Sequence, residues 1–364
     1  MLPINIKAMR IGIVAHSFYP NKDGIAIHCY YLAKELAKLG EEVHVFTSGD
    51  HDLNESIEGI NVHRIWSFRL PIFSSLLICP GLFLGIDRIK PEIIHAHGYG
   101  NFFSPIAGLY SLMTGRRMVL TLHGYPELHG ARRIFLILYR SILAPLFLIP
   151  SKKIISVSQS GKERMEKESK REIFVLPNGI DLERFKCRTD YNENELVTYV
   201  GRLDEDKGVM RIANELDPKR KVLFAGKDEG MRSRIEKACR ERKMDFEFAE
   251  VSPDKVPEIY CKSRMVLLPS KYEGFPLTML ESLASQRPFL CTDVGEVKRV
   301  LKELMPDSWQ YLIIEGDVEK TIADAEDNED KIARDLRQVR KRLEKYGWSK
   351  IAIETLEIYK NKLL

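Results

Sequence analysis

Arg10-Ile11-Gly12-Ile13-Val14-Ala15, the loop Phe18-Tyr19-Pro20-Asn21-Lys22-Asp23-Gly24 and the run Val43-His44-Val45-Phe46 together decide the fold. The first and last are short apolar runs of the kind buried on both faces of a sheet. Between them, residues 27–39 carry apolar side chains at helical spacing, and Gly40 stops the helix. Strand, loop, helix and strand in that order make a βαβ unit.

The same rhythm extends outward. Ile93-Ile94-His95-Ala96-His97, Met118-Val119-Leu120-Thr121 and Ile154-Ile155-Ser156-Val157-Ser158 read as further strands. A second cycle begins near Leu196 with Val197-Thr198-Tyr199-Val200-Gly201, followed by Val222-Leu223-Phe224-Ala225-Gly226 and Met265-Val266-Leu267-Leu268-Pro269. Short strands ending in Gly, Pro or Ser, with helical stretches between, predict an α/β fold of doubly wound parallel sheets. The 364 residues suffice for two such domains and are too many for one core. Leu176-Pro177-Asn178-Gly179-Ile180-Asp181 breaks the pattern and marks the boundary. Residues 1–178 are expected to form an N-terminal Rossmann-like domain and residues 179–347 a C-terminal one. A closing helix over about 348–364 packs back on the first, after a charged helical stretch at 315–346.

The composition, 44% hydrophobic and 30% charged, is that of a globular protein. Residues 1–186 hold 23 Lys+Arg and 17 Asp+Glu, while the rest hold 33 and 35, so the basic excess belongs to the first half. Within residues 116–171 alone, 12 basic side chains face 4 acidic ones. The six cysteines are scattered without a CxxC pair, so neither a zinc site nor a disulfide framework is expected. The N-terminus lacks the charged start, apolar run and small-residue cleavage site of a secretory signal. The longest apolar runs, residues 76–86 and 134–150, are too short or interrupted by Arg140 and Pro145 to cross a bilayer. A cytoplasmic chain is therefore expected. Arg116, Arg117, Arg132, Arg133, Arg140, Lys152 and Lys153 surround the 134–150 run. That pattern fits peripheral docking at the inner face of a membrane, and it equally fits a buried helix with solvated charges.

Three segments carry chemistry. In Pro269-Ser270-Lys271-Tyr272-Glu273-Gly274-Phe275-Pro276-Leu277-Thr278-Met279-Leu280-Glu281 a strand ends, a turn follows and Pro276 opens a helix. The free N–H groups of Leu277 and Thr278 would face an anion above the helix start. Glu281, one turn on, can accept hydrogen bonds from a ribose diol. A plain strand-to-helix turn with a capping glutamate has the same look. The second segment, Gly201-Arg202-Leu203-Asp204-Glu205-Asp206-Lys207-Gly208, also links a strand to a helix. Its arginine and lysine can converge on one diphosphate, where a charged surface loop is the other reading. The third, Thr121-Leu122-His123-Gly124-Tyr125, ends a strand with a histidine able to donate to a sugar hydroxyl or to serve as a structural hydrogen-bonding residue. His95 and His97 share one side of a strand and, with no third clustered ligand, are read as structural.

Taken together, Phe18-Tyr19-Pro20 with Gly24, His123-Gly124, Pro177-Asn178-Gly179-Ile180-Asp181, Gly201-Arg202 with Lys207-Gly208, and Glu273-Gly274-Phe275-Pro276-Leu277 with Glu281 resemble, in order, the motifs of family 4 glycosyltransferases. The resemblance runs from about residue 9 to the closing segment. It implies the GT-B fold, two facing Rossmann-like doubly wound domains with an interdomain cleft. It also implies a retaining hexosyltransferase that moves sugar from a UDP- or GDP-sugar to a glycan or lipid-linked acceptor. No cofactor, metal or nucleic-acid partner is implied; the nucleotide sugar is a co-substrate. The resemblance makes His123, Arg202, Lys207 and Glu273 the catalytic group. Gly24, Gly201, Phe275, Pro276, Leu277, Thr278 and Glu281 would bind the donor, with Arg202 and Lys207 on the diphosphate, Glu281 on the ribose and Glu273 beside the sugar.

The chain departs from that pattern at Asp23 before Gly24, where an acidic group would repel phosphate or meet an acceptor hydroxyl. Gln286 and Glu296 stand where glycine is common, and Gly226-Lys227-Asp228-Glu229-Gly230 matches only loosely. Asp50-His51-Asp52 and Asp204-Glu205-Asp206 fit the short string of metal-dependent transferases, but the two-domain repeat argues against that class. No G-x-G-x-x-G follows the first strand of either cycle, which counts against a dinucleotide oxidoreductase. The alternative function is a membrane scaffold that keeps the fold without transfer.

Overall fold

The computed structural model describes residues 8–21, 23–70, 73–124, 137–250 and 252–360. They form two compact units: the described residues up to Asn178 together with those from Trp348 onward, and Gly179–Gly347.

In the first unit the strands are β1 (Arg10–Val14), β2 (Glu42–Gly49), β3 (Leu53–Ile57), β4 (Ile60–Trp66), β5 (Phe68–Leu70), β6 (Phe73–Ile78), β7 (Ile93–His97), β8 (Arg117–Leu122), β9 (Ser151–Ser156) and β10 (Glu172–Val175). Eight of them form one sheet in the order β10-β9-β8-β7-β1-β2-β4-β3, and β5 pairs with β6 apart from it. Every neighbour pair in the large sheet is parallel except β3 with β4. The βαβ unit read from the sequence sits at its centre, with Ile11 opposite Val43 and Ile13 opposite Val45. All five residues of β7 are buried, as a central parallel strand requires. One core cluster contains Phe46, Phe103, Tyr110 and Phe147. A second contains Ile11, Ile13, Leu32, Leu36 and Tyr359, so the closing helix Trp348–Lys360 contributes to the core of this unit.

The helix after β1 spans Gly24–Lys38, beginning earlier than the apolar spacing predicts, because Asp23 caps it. The Asp23 Oδ1 accepts from the N–H groups of Ile25 at 3.1 Å and Ala26 at 3.0 Å, and its Oδ2 accepts from the Ser17 hydroxyl. This carboxylate is engaged at a helix start.

In the second unit β11 (Leu196–Val200), β12 (Lys221–Ala225), β13 (Asp245–Ala249), β14 (Ser263–Leu268) and β15 (Phe289–Cys291) make a parallel sheet of order β13-β12-β11-β14-β15. The chain steps outward from β11 to β13 on one side and from β14 to β15 on the other. The winding therefore reverses between β11 and β14. The two charged helices Val318–Asp327 and Glu329–Leu343 occupy the stretch read as helical. Gln286, standing where glycine is common, takes a φ of 54°, the left-handed conformation glycine adopts without strain.

One expectation fails. Cys187 and Cys261, 74 residues apart, are joined by a disulfide, whereas Cys29, Cys79, Cys239 and Cys291 are free and buried. Scattered spacing carries no information about which side chains meet in space, so this pairing was not legible in the sequence. A crosslink closing a span of this length contributes about 2–4 kcal/mol. Cys187→Ser is therefore expected to lower the melting temperature, and thiol reductant to lower that of the wild type but not of the variant, as read by differential scanning fluorimetry.

Candidate functional site

The winding reversal between β11 and β14 creates a crevice outside their carboxyl ends, the position at which open α/β sheets bind ligands. The two charged segments leave the sheet there. Lys207 Nζ donates to Glu273 Oε1 at 2.6 Å, joining segments 66 residues apart in sequence. The Ser270 hydroxyl donates to the same oxygen at 2.8 Å. The Glu273 side chain is 9% exposed and that of Lys207 21%, so the pair is shielded but reachable. The turns that hold it are tight. Lys207 N–H donates to Asp204 Oδ1 at 2.9 Å, and Lys271 N–H to the Asp206 carbonyl at 2.7 Å. Gly208, with φ of 66°, begins the helix Val209–Glu215, and a Cβ there would lie 2.0 Å from the Pro269 carbonyl oxygen. Only glycine lets the two loops approach so closely. Gly295, with φ of 56°, does the same beneath Glu273, whose carbonyl oxygen would lie 2.2 Å from an added Cβ.

Arg202 is 57% exposed and pairs with Asp204 at 3.0 Å, so the two cations of this segment differ in setting, one shielded and one open. Its carbonyl accepts from the buried Tyr199 hydroxyl. The helix that follows Glu273 spans Leu277–Ala284, with Pro276 at its N-cap, one position before the first helical residue where it was expected. No side chain caps this end. The first N–H groups of a helix have no intrahelical partner, so Leu277 and Thr278 present their amides outward with the positive end of the helix dipole. The Phe275 ring is buried and lies 5.9 Å from the Tyr346 ring, so its side chain packs and only its backbone can face a ligand. Glu296, at another position where glycine is common, is buried, donates its N–H to the Gly274 carbonyl and pairs with Arg299.

Glu281 is partly buried and accepts from the Tyr260 hydroxyl at 2.6 Å. Burial raises its pKa above the ordinary value near 4.5, opposed by the Tyr260 hydrogen bond and by the charge of Arg184. Tyr260 is the residue of this site that the sequence did not single out, since it acts by its place in the fold and carries no motif of its own; Ser270 and Asp204 stand in the quoted segments, but their hydrogen bonds to Glu273 and to the Lys207 amide were not foreseen.

The first unit has a matching winding reversal between β1 and β7, and histidines gather at that end of the sheet. Gly24 starts the helix there, and a Cβ added to it would meet nothing within 4 Å. His97 Nδ1 and His123 Nε2 lie 3.0 Å apart, and the His28 ring stands edge-on to that of His123 with centroids 4.6 Å apart. His28 Nδ1 donates to Asn178 Oδ1 at 3.0 Å. Burial pushes His28 down to about 4 and lowers His97 and His123 as well, the latter two further through neighbouring imidazoles. His95 fulfils its structural reading, bonded to the Tyr359 hydroxyl at 2.5 Å and the Thr121 hydroxyl at 2.6 Å. His97 faces His123, and His28 from the helix after β1 joins them in a cluster that the sequence did not show. Tyr125, of the His123 segment, lies outside the described residues.

The 116–171 stretch divides. Arg132, Arg133 and the start of the apolar run lie outside the described residues. Lys153 is buried and donates to the Ile358 carbonyl at 3.2 Å, Arg117 donates to the Tyr359 carbonyl at 3.2 Å, and Arg140 pairs with Glu168. Those three are engaged within the unit rather than free around the run. Tyr139, Ala144 and Phe147 are buried, while Ile137, Leu138, Ile142 and Ile149 are exposed. Among the described residues no helix is long and apolar enough to cross a membrane.

Comparison with known proteins bears on both units. The profile of Glycosyltransferase Family 4 matches residues 22–184 and that of Glycosyl transferases group 1 matches residues 194–328. An uncharacterized glycosyltransferase of Methanocaldococcus jannaschii is 27% identical, the match covering 97% of this chain and 98% of that protein. The phosphatidylinositol N-acetylglucosaminyltransferase GPI3 subunit of Saccharomyces cerevisiae is 25% identical over 96% of this chain and 82% of its own. Anabaena HepE, solved in complex with UDP-glucose, superposes with a TM-score of 0.75 at 15% identity, covering 97% of this chain and 100% of that one.

Glu281 yields a pH signature. Its raised pKa means that its contribution to stability is present below the unfolded value and is lost as pH rises through the folded one. Glu281→Gln cannot ionise and can still accept from Tyr260. The unliganded variant is therefore expected to melt above the wild type at pH 7.5 and to lose that advantage at pH 4, as measured by calorimetry at the two values.

Proposed function

This chain belongs to glycosyltransferase family 4 and has the GT-B fold, and we propose that it moves a hexosyl group from a UDP- or GDP-sugar to a glycan or lipid-linked acceptor with retention of anomeric configuration. That it is a glycosyltransferase follows from the family. The finer reading is carried by the Lys207–Glu273 pair at the winding reversal of the second unit.

In this reading Lys207, Arg202 and the amides of Leu277 and Thr278 receive the donor diphosphate. Each charge-assisted hydrogen bond contributes about 1.5–3 kcal/mol. The shielded Lys207 is held in place by Glu273 before the donor arrives, so little reorganisation accompanies binding. Glu281, oriented by Tyr260, accepts from the ribose hydroxyls. Glu273 keeps a second carboxylate oxygen for the sugar. In the first unit, we assign the ring nitrogen of His123 and the open space above Gly24 to hydroxyls of the sugar substrate.

The bond from the anomeric carbon to the departing phosphate oxygen breaks while a bond to the acceptor oxygen forms on the same face. The acceptor proton passes to the phosphate. Developing negative charge falls on the oxygens that the two cations and the helix start face, which removes the need for a metal under the diphosphate. Both carboxylates are engaged in binding, Glu273 with Lys207 and Ser270, Glu281 with Tyr260. Neither is assigned the covalent role of a retaining hydrolase nucleophile.

The acceptor side draws support from the exposed apolar side chains Leu112, Met113, Ile137, Leu138, Ile142 and Ile149 of the first unit, beside the exposed Lys152 and Arg171. Apolar residues next to basic ones suit an interfacial contact with anionic lipid. The yeast relative is, by its name, a phosphatidylinositol N-acetylglucosaminyltransferase subunit.

Two experiments test the reading. In a panel of sugar nucleotides, at least one is expected to raise the melting temperature and to be transferred with retention, read by NMR of the anomeric proton, in EDTA as well as without it. Lys207→Ala and Glu273→Ala should each lower kcat by about 10²–10³, and inversion of configuration, or loss of transfer in EDTA, would overturn the mechanism. Secondly, the protein should co-sediment with anionic vesicles at low salt, and Leu138→Glu with Ile142→Glu should release it. Equal sedimentation of the double variant would refute the membrane face.

A further inference from the structure

The histidines gathered at the winding reversal of the first unit have a second property, beyond the sugar contact assigned to one ring nitrogen of His123. His28, His97 and His123 each bring one ring nitrogen to within 4.8 Å of the others. They come from three separate elements: the helix after β1, the end of β7 and the residue following β8. We propose that these three imidazoles form a binding site for one divalent transition-metal ion of the zinc type, distinct from any ion under a donor diphosphate.

Three observations carry this. The first is orientation. Asn178 Oδ1 accepts the Nδ1–H of His28, which leaves His28 Nε2 as a lone pair. A second partner that fixes the tautomer in this way is the usual support of a metal-binding histidine. The second is convergence. His97 is fully buried, and its Nδ1 faces His123 Nε2 at 3.0 Å, so with each ring's proton on its other nitrogen both lone pairs address one point. The third is spacing. A tetrahedral zinc ion with Zn–N of about 2.0–2.1 Å holds its ligand nitrogens roughly 3.4 Å apart. The 3.0 Å between His97 Nδ1 and His123 Nε2 and the 4.8 Å limit across the trio bracket that value, and small ring rotations close the difference.

The donor set names the class of ion. Three neutral imidazoles with no carboxylate suit zinc, cobalt, nickel or copper and reject magnesium and calcium, which require oxygen ligands. His123 is only partly buried and Gly124 is exposed. A three-histidine set leaves a fourth position for water or a ligand oxygen.

The test uses the full chain stripped with EDTA and desalted. Isothermal titration with Zn²⁺ should show one saturable ion per chain, and Co²⁺ should give the intense visible d–d bands of tetrahedral coordination. His28→Gln and His123→Gln should each abolish the bands and weaken Zn²⁺ binding at least ten-fold. Asn178→Ala, acting only on ring orientation, should weaken it by about 10–100-fold. His123→Gln changes a partly exposed residue and keeps the fold readable by circular dichroism. His63→Gln provides the control, since His44 and His63 form a separate pair with ring nitrogens 2.9 Å apart. Absence of saturable binding in the wild type, undiminished binding in a folded His123→Gln protein, or loss of binding only in His63→Gln would overturn the proposal.

Discussion

The second unit's chemistry depends on one constraint, the parallel pairing of β11 with β14. Val197 faces Met265 and Tyr199 faces Leu267 across that ladder. Because the chain winds away from this pair in both directions, the loops leaving the two strands have no neighbouring helix between them. They must meet each other. Lys207 reaches Glu273 because both loops leave adjacent parallel strands on the same side, and Gly208 removes the side chain that would hold them apart. The ion pair is thus a consequence of topology, and the shielding that strengthens it comes from the same closeness.

The pair also explains why a strongly charged segment is ordered. Asp204 and Asp206 in the second segment could pass for a metal-binding string. In the structure Asp204 accepts the Lys207 amide and pairs with Arg202, and the Asp206 carbonyl takes the Lys271 amide. These groups shape the loop. What remains to meet an anion is a shielded lysine, an exposed arginine and an uncapped helix start. A diphosphate matches that set in charge and in the number of oxygens it offers.

The first unit repeats the topology with different chemistry at the reversal. There the strand ends present imidazoles in place of cations and carboxylates, and burial keeps those rings neutral. The closing helix returns to this unit, where Tyr359 holds His95, so the last described turn of the chain helps set the histidines of a central strand. A buried Lys153 and an engaged Arg117 bind carbonyls of the same helix. Charges that look like surface features in the sequence are here the fasteners of an element far away in the chain.

The amino-acid sequence by itself determined the alternation of strands and helices, the parallel sheets, and the two segments around Lys207 and Glu273. Local patterns suffice for this, because the period of apolar residues and the placing of Gly and Pro act within a few residues of each other. The β3–β4 antiparallel pair and the strands β5, β6, β10, β13 and β15 escaped that reading; β3, β10, β13 and β15 are the outer strands of their sheets, and β5 and β15 have only three residues each. Tertiary structure alone decided that Tyr260 orients Glu281, that Cys187 meets Cys261, and that His28 joins His97 and His123. Those partners stand 21 to 74 residues apart in the first two cases, and the three histidines come from different elements. Distance along a chain does not report distance in space until the sheet order brings the strand ends together.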